Sequence, residues 1–131
     1  MSKSYEFLKE CGVFYVLTVN DDKPCGRPFG AVMEYENKLY ITTANMKAVY
    51  KQMKANSNIQ IIALKGGTRD WIRIDGNAVE CMDLDIKKKM LEECPVIQKH
   101  YNSPTCEYYA VFQIDNKKAF INTDGGFIEV D

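Results

Sequence analysis

The sequence is poor in the residues that build metal centres. It has a single histidine, His100, and its five cysteines are widely spaced with no C-x-x-C pair. Zinc sites need several such ligands at short spacing, so we expect no metal site. An odd number of dispersed cysteines also suits no disulfide framework. We interpret them as reduced side chains that pack as small hydrophobes in a cytosolic protein.

Long apolar runs and excess charge are also absent. No segment approaches the roughly 20 apolar residues of a membrane-spanning helix. The first residues, MSKSYEFLKECG, carry scattered charges and lack the apolar stretch of a signal peptide. A net charge of −1 provides no general attraction to nucleic acid or to an anionic membrane. We therefore expect a cytoplasmic protein with neither partner, in which any anion binding is local.

The glycine-rich nucleotide signatures are missing as well, since there is no G-x-G-x-x-G and no Walker lysine motif. The chain contains instead short β-branched and aromatic segments separated by turn residues, which predict strands. The predicted strands cover residues 13–20, 25–33, 39–43, 59–64, 71–80, 107–115 and 119–123, with a turn at 116–117 and a short apolar tail at 127–130.

Three helices are predicted between these strands. They cover residues 5–11, 46–55 and 83–93, with Gly12 ending the first and Asp83 capping the third. Six or seven mostly antiparallel strands joined by hairpins favour a small closed or split β-barrel. We therefore predict a mainly β fold, a β-barrel with a few helices, as a single domain over residues 1–131. The apolar character of the last strands suggests a dimer face.

An anion site is predicted where the third strand meets the second helix. Asn45 is the expected N-cap, which places Lys47 in the first helical turn, where free N–H groups and the helix dipole favour an anion. Thr42 and Thr43 precede this helix, and Arg27 lies on the neighbouring strand. Hydroxyls, open amides and two cations together can hold a phosphate. A solvated basic helix face is an equally good interpretation of these residues alone.

Three further residues bear on a ligand site. Gly30 leaves backbone bare beside Pro28, which allows a flat ligand to approach closely but is equally consistent with a bulge. Trp71, the only tryptophan, alternates with polar residues, so it faces either a ligand or a barrel rim. His100 lies in a polar connection and has no partner at useful spacing, so we interpret it as structural.

The order of these motifs resembles the pyridoxamine 5′-phosphate oxidase-like flavoproteins, and most closely their nitroimidazole-resistance branch. The resemblance covers residues 7–123. It rests on the R-P strand (Arg27, Pro28), the Y-x-T-T strand end (Tyr40 to Thr43), K-x-x-x-x-Q-x-x-x-N (Lys47, Gln52, Asn56) and W-x-R-x-x-G-x-A (Trp71, Arg73, Gly76, Ala78). It implies an FMN-binding split barrel that forms a homodimer, with one FMN per subunit in a cleft shared between subunits.

Carried over to this sequence, the resemblance implies a specific set of flavin contacts. Phosphate and ribityl contacts would come from Arg27, Thr42, Thr43 and Lys47, the isoalloxazine ring would lie along Pro28, Phe29, Gly30 and Ala31, and Trp71 would flank it. The branch often has a histidine near the flavin, whereas His100 is not at a matching motif position.

The implied activity is that of an FMN-dependent oxidoreductase. It would pass electrons from a reduced pyridine nucleotide to a small organic acceptor such as a nitroaromatic, with no side chain acting as nucleophile or general base. The alternative is a non-catalytic module that binds or senses a flavin or another flat cofactor, haem or a deazaflavin. A third interpretation is a purely structural dimer that binds no ligand.

Overall fold

The computed structural model describes residues 1–131 and contains eight β-strands and three α-helices. The strands are β1 (Phe14–Asn20), β2 (Lys23–Phe29), β3 (Val32–Tyr35), β4 (Lys38–Ala44), β5 (Asn58–Leu64), β6 (Trp71–Cys81), β7 (Tyr109–Thr123) and β8 (Gly126–Val130). The helices are α1 (Lys3–Cys11), α2 (Ala48–Ala55) and α3 (Leu84–Glu93). The predicted mainly β fold is confirmed.

All strand pairs are antiparallel, in the order β2-β1-β5-β6-β7-β4-β3, with β8 added alongside β7. The two ends of this path, β2 and β3, are consecutive in the chain and are joined only by Gly30 and Ala31. The sheet therefore curls until its two edges are linked by covalent backbone rather than by a hydrogen-bonded ladder. This is the arrangement of a split barrel.

Local capping explains where two of the helices begin and end. The Ser2 hydroxyl accepts a hydrogen bond from the Tyr5 N–H at the start of α1, and Gly12 ends that helix with φ of 77°. The Asp83 carboxylate accepts from the N–H groups of Asp85 and Ile86 at the start of α3. The predicted helix end at Gly12 and the predicted cap at Asp83 are confirmed.

Two strand predictions were wrong in their extent. The single strand predicted over residues 25–33 is divided between β2 and β3, which lie at opposite edges of the sheet. The two strands predicted over 107–115 and 119–123 form one strand, β7, because the expected turn is a bulge. There Asn116, with φ of 55°, and Lys117 lie opposite the single residue Gly76 of β6.

The buried apolar residues form two clusters. The larger one fills the barrel under α1 and α2 and includes Phe14, Ile61 and Phe112. The smaller one packs α3 and the 3₁₀ turn Pro95–Ile97 against β3, β4 and the start of β7, around Met33 and Met90. Val32 belongs to the larger cluster, whereas Ala31 and Met33 belong to the smaller one, so successive residues of β3 and its preceding link contribute to both clusters.

None of the three α-helices, of which the longest has ten residues, combines the length and apolar character needed to cross a membrane.

Candidate functional site

A cleft of about 280 Å³ opens at the split between β2 and β3. Its lining brings together eight of the nine predicted site residues, namely Arg27, Pro28, Phe29, Gly30, Ala31, Thr42, Thr43 and Lys47. They come from β2, from its link to β3, from β4 and from the start of α2. The remaining lining consists of Val49, Val96, Ile97, His100 and Tyr101. The barrel topology therefore gathers residues separated by more than 70 positions in the chain.

Arg27 enters the cleft from β2 as a half-buried cation. Its Nη1 donates to the Thr18 hydroxyl at 2.7 Å, and Nη2 donates to Gln52 Oε1 at 2.8 Å. No carboxylate lies among its partners, and burial lowers the pKa of the guanidinium. An arginine remains charged at neutral pH even so. The cleft thus contains a partly desolvated positive charge with no counterion from the chain.

The two threonines at the end of β4 differ in the state of their hydroxyls. Thr42 Oγ1 donates to the Ala110 carbonyl at 2.8 Å, so its proton is already used within the sheet. Thr43 is 4% exposed and its hydroxyl has no hydrogen-bond partner. The Thr43 oxygen keeps some contact with solvent, and Thr43 lines the cleft, so the hydroxyl faces the cleft. Only Thr43 is therefore free to donate to a ligand.

Lys47 lies at the N-terminus of α2, two positions closer to the start of the helix than predicted. The helix begins at Ala48 rather than Met46, and Lys47 itself occupies the N-cap position without a capping side chain. Asn45, the predicted cap, instead donates from Nδ2 to the Glu107 carbonyl. Its backbone N–H also bonds to the Tyr108 carbonyl, so Asn45 is held against the segment that leads into β7. The first amides of α2 therefore have no side-chain acceptor, and Val49 from this turn lines the cleft.

Bare backbone forms one wall of the cleft. Pro28 and Gly30 are exposed while Ala31 is buried. A Cβ added to Gly30 would meet only the Gly12 carbonyl oxygen, at 3.9 Å. Since this is an ordinary contact, the protein's own packing does not require a glycine here. The space in front of Gly30 is open to a flat ligand instead.

The opposite wall was not predicted from the sequence. It comprises the 3₁₀ turn, with Val96 and Ile97, followed by His100 and Tyr101. Tyr101 is buried and stacks on Tyr109 with ring centroids 4.7 Å apart, which fixes this wall against β7. His100 lines the same cleft as Arg27 and Lys47. No motif spacing in the sequence indicates this position, and the interpretation of His100 as a structural residue stays a prediction.

Trp71 lies outside this cleft. It begins β6, stands 5.6 Å from the ring of Phe127 on β8, and lines a separate depression that includes Leu64 and Asn122. The structure therefore does not bring Trp71 to the other eight predicted residues within one chain.

A larger depression, of about 810 Å³, lies between α3 and the hairpin of β3 and β4. Its lining carries four carboxylates, from Glu36, Asp83, Asp85 and Glu92, against the two lysines Lys88 and Lys89. This charge balance disfavours an anion. The chain also has no cluster of three or more His, Cys, Asp or Glu side chains placed to hold a metal ion. The smaller cleft has the more distinctive chemistry.

Fold and cleft together define a class: a split β-barrel with a cationic cleft at the split. Residues 2–121 match the protein-family model of pyridoxamine 5′-phosphate oxidase. A crystal structure of a NimC/NimA family protein from Clostridium acetobutylicum is 36% identical, with a TM-score of 0.92 over 98% of this chain and 89% of that one. The chain belongs to the pyridoxamine 5′-phosphate oxidase-like family and lies nearest its nitroimidazole-resistance branch.

More distant structures share the fold. General Stress Protein 26 from Bacillus anthracis is 18% identical, with a TM-score of 0.78 over 95% of this chain and 94% of that one. A heme binding protein from Mycobacterium smegmatis is 9% identical, with a TM-score of 0.75 over 94% of this chain and 54% of that one. No curated protein matches the sequence. Members of the family typically bind a flavin and commonly form dimers.

Proposed function

We propose that this protein is a homodimeric FMN-binding oxidoreductase. The observation that carries the proposal is the combination, in one cleft, of two cations without counterions, a free hydroxyl and the uncapped N-terminus of α2. Arg27, Thr43 and Lys47 supply these side chains. Membership of a family that typically binds flavin supports FMN as the ligand.

The polar end of the cleft suits a phosphate monoester. Such a group carries a charge of about −1.5 to −2 at neutral pH, which Arg27 and Lys47 together would neutralise. The Thr43 hydroxyl and the open amides of α2 would donate to its oxygens. Thr42 would contribute by holding β4 in place, since its proton is used by Ala110.

The wall from Pro28 to Ala31 would take the flat ring of the cofactor. Exposed backbone at Gly30 allows close approach, and peptide N–H and C=O groups can bond to the ring edge. When bound, FMN supplies the hydride and electron transfer. The chain's own residues bind and orient it, and we assign no side chain as nucleophile or general base.

One chain supplies only part of such a site. The cleft volume of about 280 Å³ lies just below the range of roughly 300–1,000 Å³ typical of small-molecule pockets. A second subunit would cover the exposed side of the ring, which agrees with a family that commonly forms dimers. Trp71 belongs to the proposed site only if it reaches the cleft of the partner subunit.

We further propose that a reduced pyridine nucleotide is the electron donor and a small organic compound the acceptor. A nitroaromatic is the acceptor to test first, because the chain lies nearest the nitroimidazole-resistance branch. The readout is steady-state oxidation of NADH or NADPH with and without the acceptor. A non-catalytic flavin carrier would bind FMN and show no such turnover.

The test of the binding site compares two lysines of the same segment. Lys47→Glu should abolish retention of FMN, measured by visible absorption after gel filtration, while Lys51→Glu, with the same charge change on exposed helix surface, should retain about one FMN per subunit. Both variants should keep the circular dichroism of the wild type. Wild-type protein that retains no flavin, or equal retention by both variants, would overturn the proposal.

A haem-binding module is a second candidate, supported by one observation. His100 lines the cleft, and histidine is a common axial ligand of haem iron. The similarity to a heme binding protein adds support at the level of the fold. Titration with haemin distinguishes the two: a Soret band that is lost in His100→Ala would favour haem, whereas FMN retention unaffected by His100→Ala would favour the flavin.

A further inference from the structure

Gln52 belongs to the α2 motif but has no part in the flavin contacts proposed above. Its side chain reaches from α2 to the sheet, where Oε1 accepts from Arg27 Nη2 at 2.8 Å and from the Thr18 hydroxyl. Two donors meet at one oxygen, which fixes the orientation of the amide, because an amide nitrogen could accept neither bond. This arrangement requires a hydrogen-bond acceptor on the side chain of residue 52.

Thr18 completes the arrangement from β1. It is 2% exposed, and its Oγ1 accepts from Arg27 Nη1 at 2.7 Å while donating to Gln52. Nη1 also lies 3.2 Å from the carbonyl oxygens of Val16 and Cys25. The guanidinium is therefore held by groups from α2, β1 and β2 at once.

This network leaves a defined part of Arg27 free. A guanidinium has five N–H donors. Nη1 and one Nη2 hydrogen have acceptors within the chain, whereas Nε and the second Nη2 hydrogen have none. A long side chain ordered before a ligand arrives loses less rotamer freedom when it binds.

We infer that Gln52 and Thr18 are positioning residues that orient Arg27 so that its remaining N–H donors face an anion in the cleft. The choice of ligand rests on the proposed function, since the anion would be the phosphate of FMN. The network itself belongs to the chain and can be tested with inorganic phosphate.

The first experiment compares FMN with riboflavin, which lacks the phosphate. Gln52→Ala and Thr18→Val should each lower FMN affinity about tenfold, a change of about 1.4 kcal/mol, and leave riboflavin affinity within about twofold. Thr18→Ser, which keeps the hydroxyl, should restore FMN affinity, and Lys51→Ala should change neither. In an Arg27→Gln background, Gln52→Ala should have no further effect. Equal losses for both flavins, or additive losses in the double variant, would show a purely structural role and overturn the inference.

The second experiment requires no flavin. In nitrogen-15 NMR spectra of the wild type, the Arg27 Nη protons should be resolved, and the Nε–H signal should shift as inorganic phosphate is added. In Gln52→Ala the Nη protons should average through free rotation. Averaged Nη signals in the wild type, or no response to phosphate, would overturn the inference. If the wild type binds neither flavin, the proposed function fails while this titration still decides the role of Gln52.

Discussion

Thr42 and Thr43 are neighbours in the sequence, yet their hydroxyl groups have different partners. The Thr42 proton is donated to the Ala110 carbonyl, so Thr42→Val should lower the free energy of unfolding by about 1 kcal/mol and leave FMN affinity nearly unchanged. Thr43→Val removes the free hydroxyl and should lower FMN affinity about tenfold with little change in stability. Urea denaturation and flavin fluorescence titration measure the two effects. The reverse pattern would show that Thr42 is the ligand contact.

Asp131 illustrates a residue whose charge supports the fold away from the cleft. Its carboxylate accepts from the Ser4 N–H at 2.9 Å and from Lys117 Nζ at 2.8 Å. Burial acts to raise the pKa of this carboxyl, but the hydrogen bonds from Lys117 and Ser4 outweigh it, so the pKa lies below its usual value. The contribution to stability is therefore fully present above about pH 4, the unfolded pKa, and is lost as the pH falls through the lower folded pKa.

Asp131→Asn should consequently destabilise the protein at neutral pH, by up to about 1 kcal/mol, because solvent screens this partly exposed network. The difference in unfolding free energy between wild type and variant should be constant from pH 7 to about pH 5. It should then narrow towards pH 3 as the wild-type carboxyl takes up a proton. Urea titrations at each pH measure this, and a difference that stays constant down to pH 3 would contradict the assigned linkage.

At the scale of elements, two glycines on different parts of the barrel, Gly30 and Gly76, should differ in their response to substitution. A Cβ at Gly76 would lie 2.6 Å from Ile114 Cγ2 and 3.0 Å from the Asp115 carbonyl, so Gly76→Ala should destabilise the bulge between β6 and β7 by about 1–3 kcal/mol. Gly30→Val fills only open cleft, so it should keep the melting temperature and weaken FMN binding. Calorimetry and flavin titration distinguish the two variants. Unchanged FMN affinity in Gly30→Val would place the ring elsewhere.

Elements fixed by local chemistry were predictable from the sequence. The hairpin between β3 and β4 is fixed in this way, with φ of 50° at Glu36 and 66° at Asn37, because its two central residues suffice to turn the chain. The Asp83 cap and the end of α1 at Gly12 were confirmed, since each depends on residues close in sequence.

Elements whose position depends on pairing with distant residues were not predictable from the sequence. The alternation of Arg27, Phe29, Ala31 and Met33 continues without interruption, so nothing local marks the point where β2 leaves one sheet edge and β3 joins the other. The start of α2 shifted for a similar reason, since Asn45 bonds to a segment 62 residues away. His100 reaches the cleft only because the chain after α3 folds back over it, which no spacing in the sequence indicates.

At the scale of the whole molecule, the exposed last strand and the shallow cleft both favour association with a second subunit. β8 pairs only with β7, and its residues Phe127 and Ile128 are 42% and 56% exposed. Exposed apolar side chains on an unpaired edge favour association. The sequence predicted a dimer face on the strands over residues 107–123, which form β7, and indicated only an apolar tail at residues 127–130, which lie in β8. The cleft on one chain, at about 280 Å³, lies just below the range of roughly 300–1,000 Å³ typical of small-molecule pockets.

If the same association covers both features, Ile128→Glu should convert the proposed dimer into a monomer and reduce FMN retention together with it. The physical reason is that a charge in an apolar interface is desolvated without a partner, and a separated chain keeps only its own wall of the cleft. Glu129→Ala alters the opposite face of β8 and serves as the control, with dimer and flavin both retained. Analytical ultracentrifugation followed at the flavin absorption band measures mass and cofactor at once. A monomer that keeps FMN at wild-type affinity would contradict the shared cleft, and a dimer that survives Ile128→Glu would move the interface away from β8.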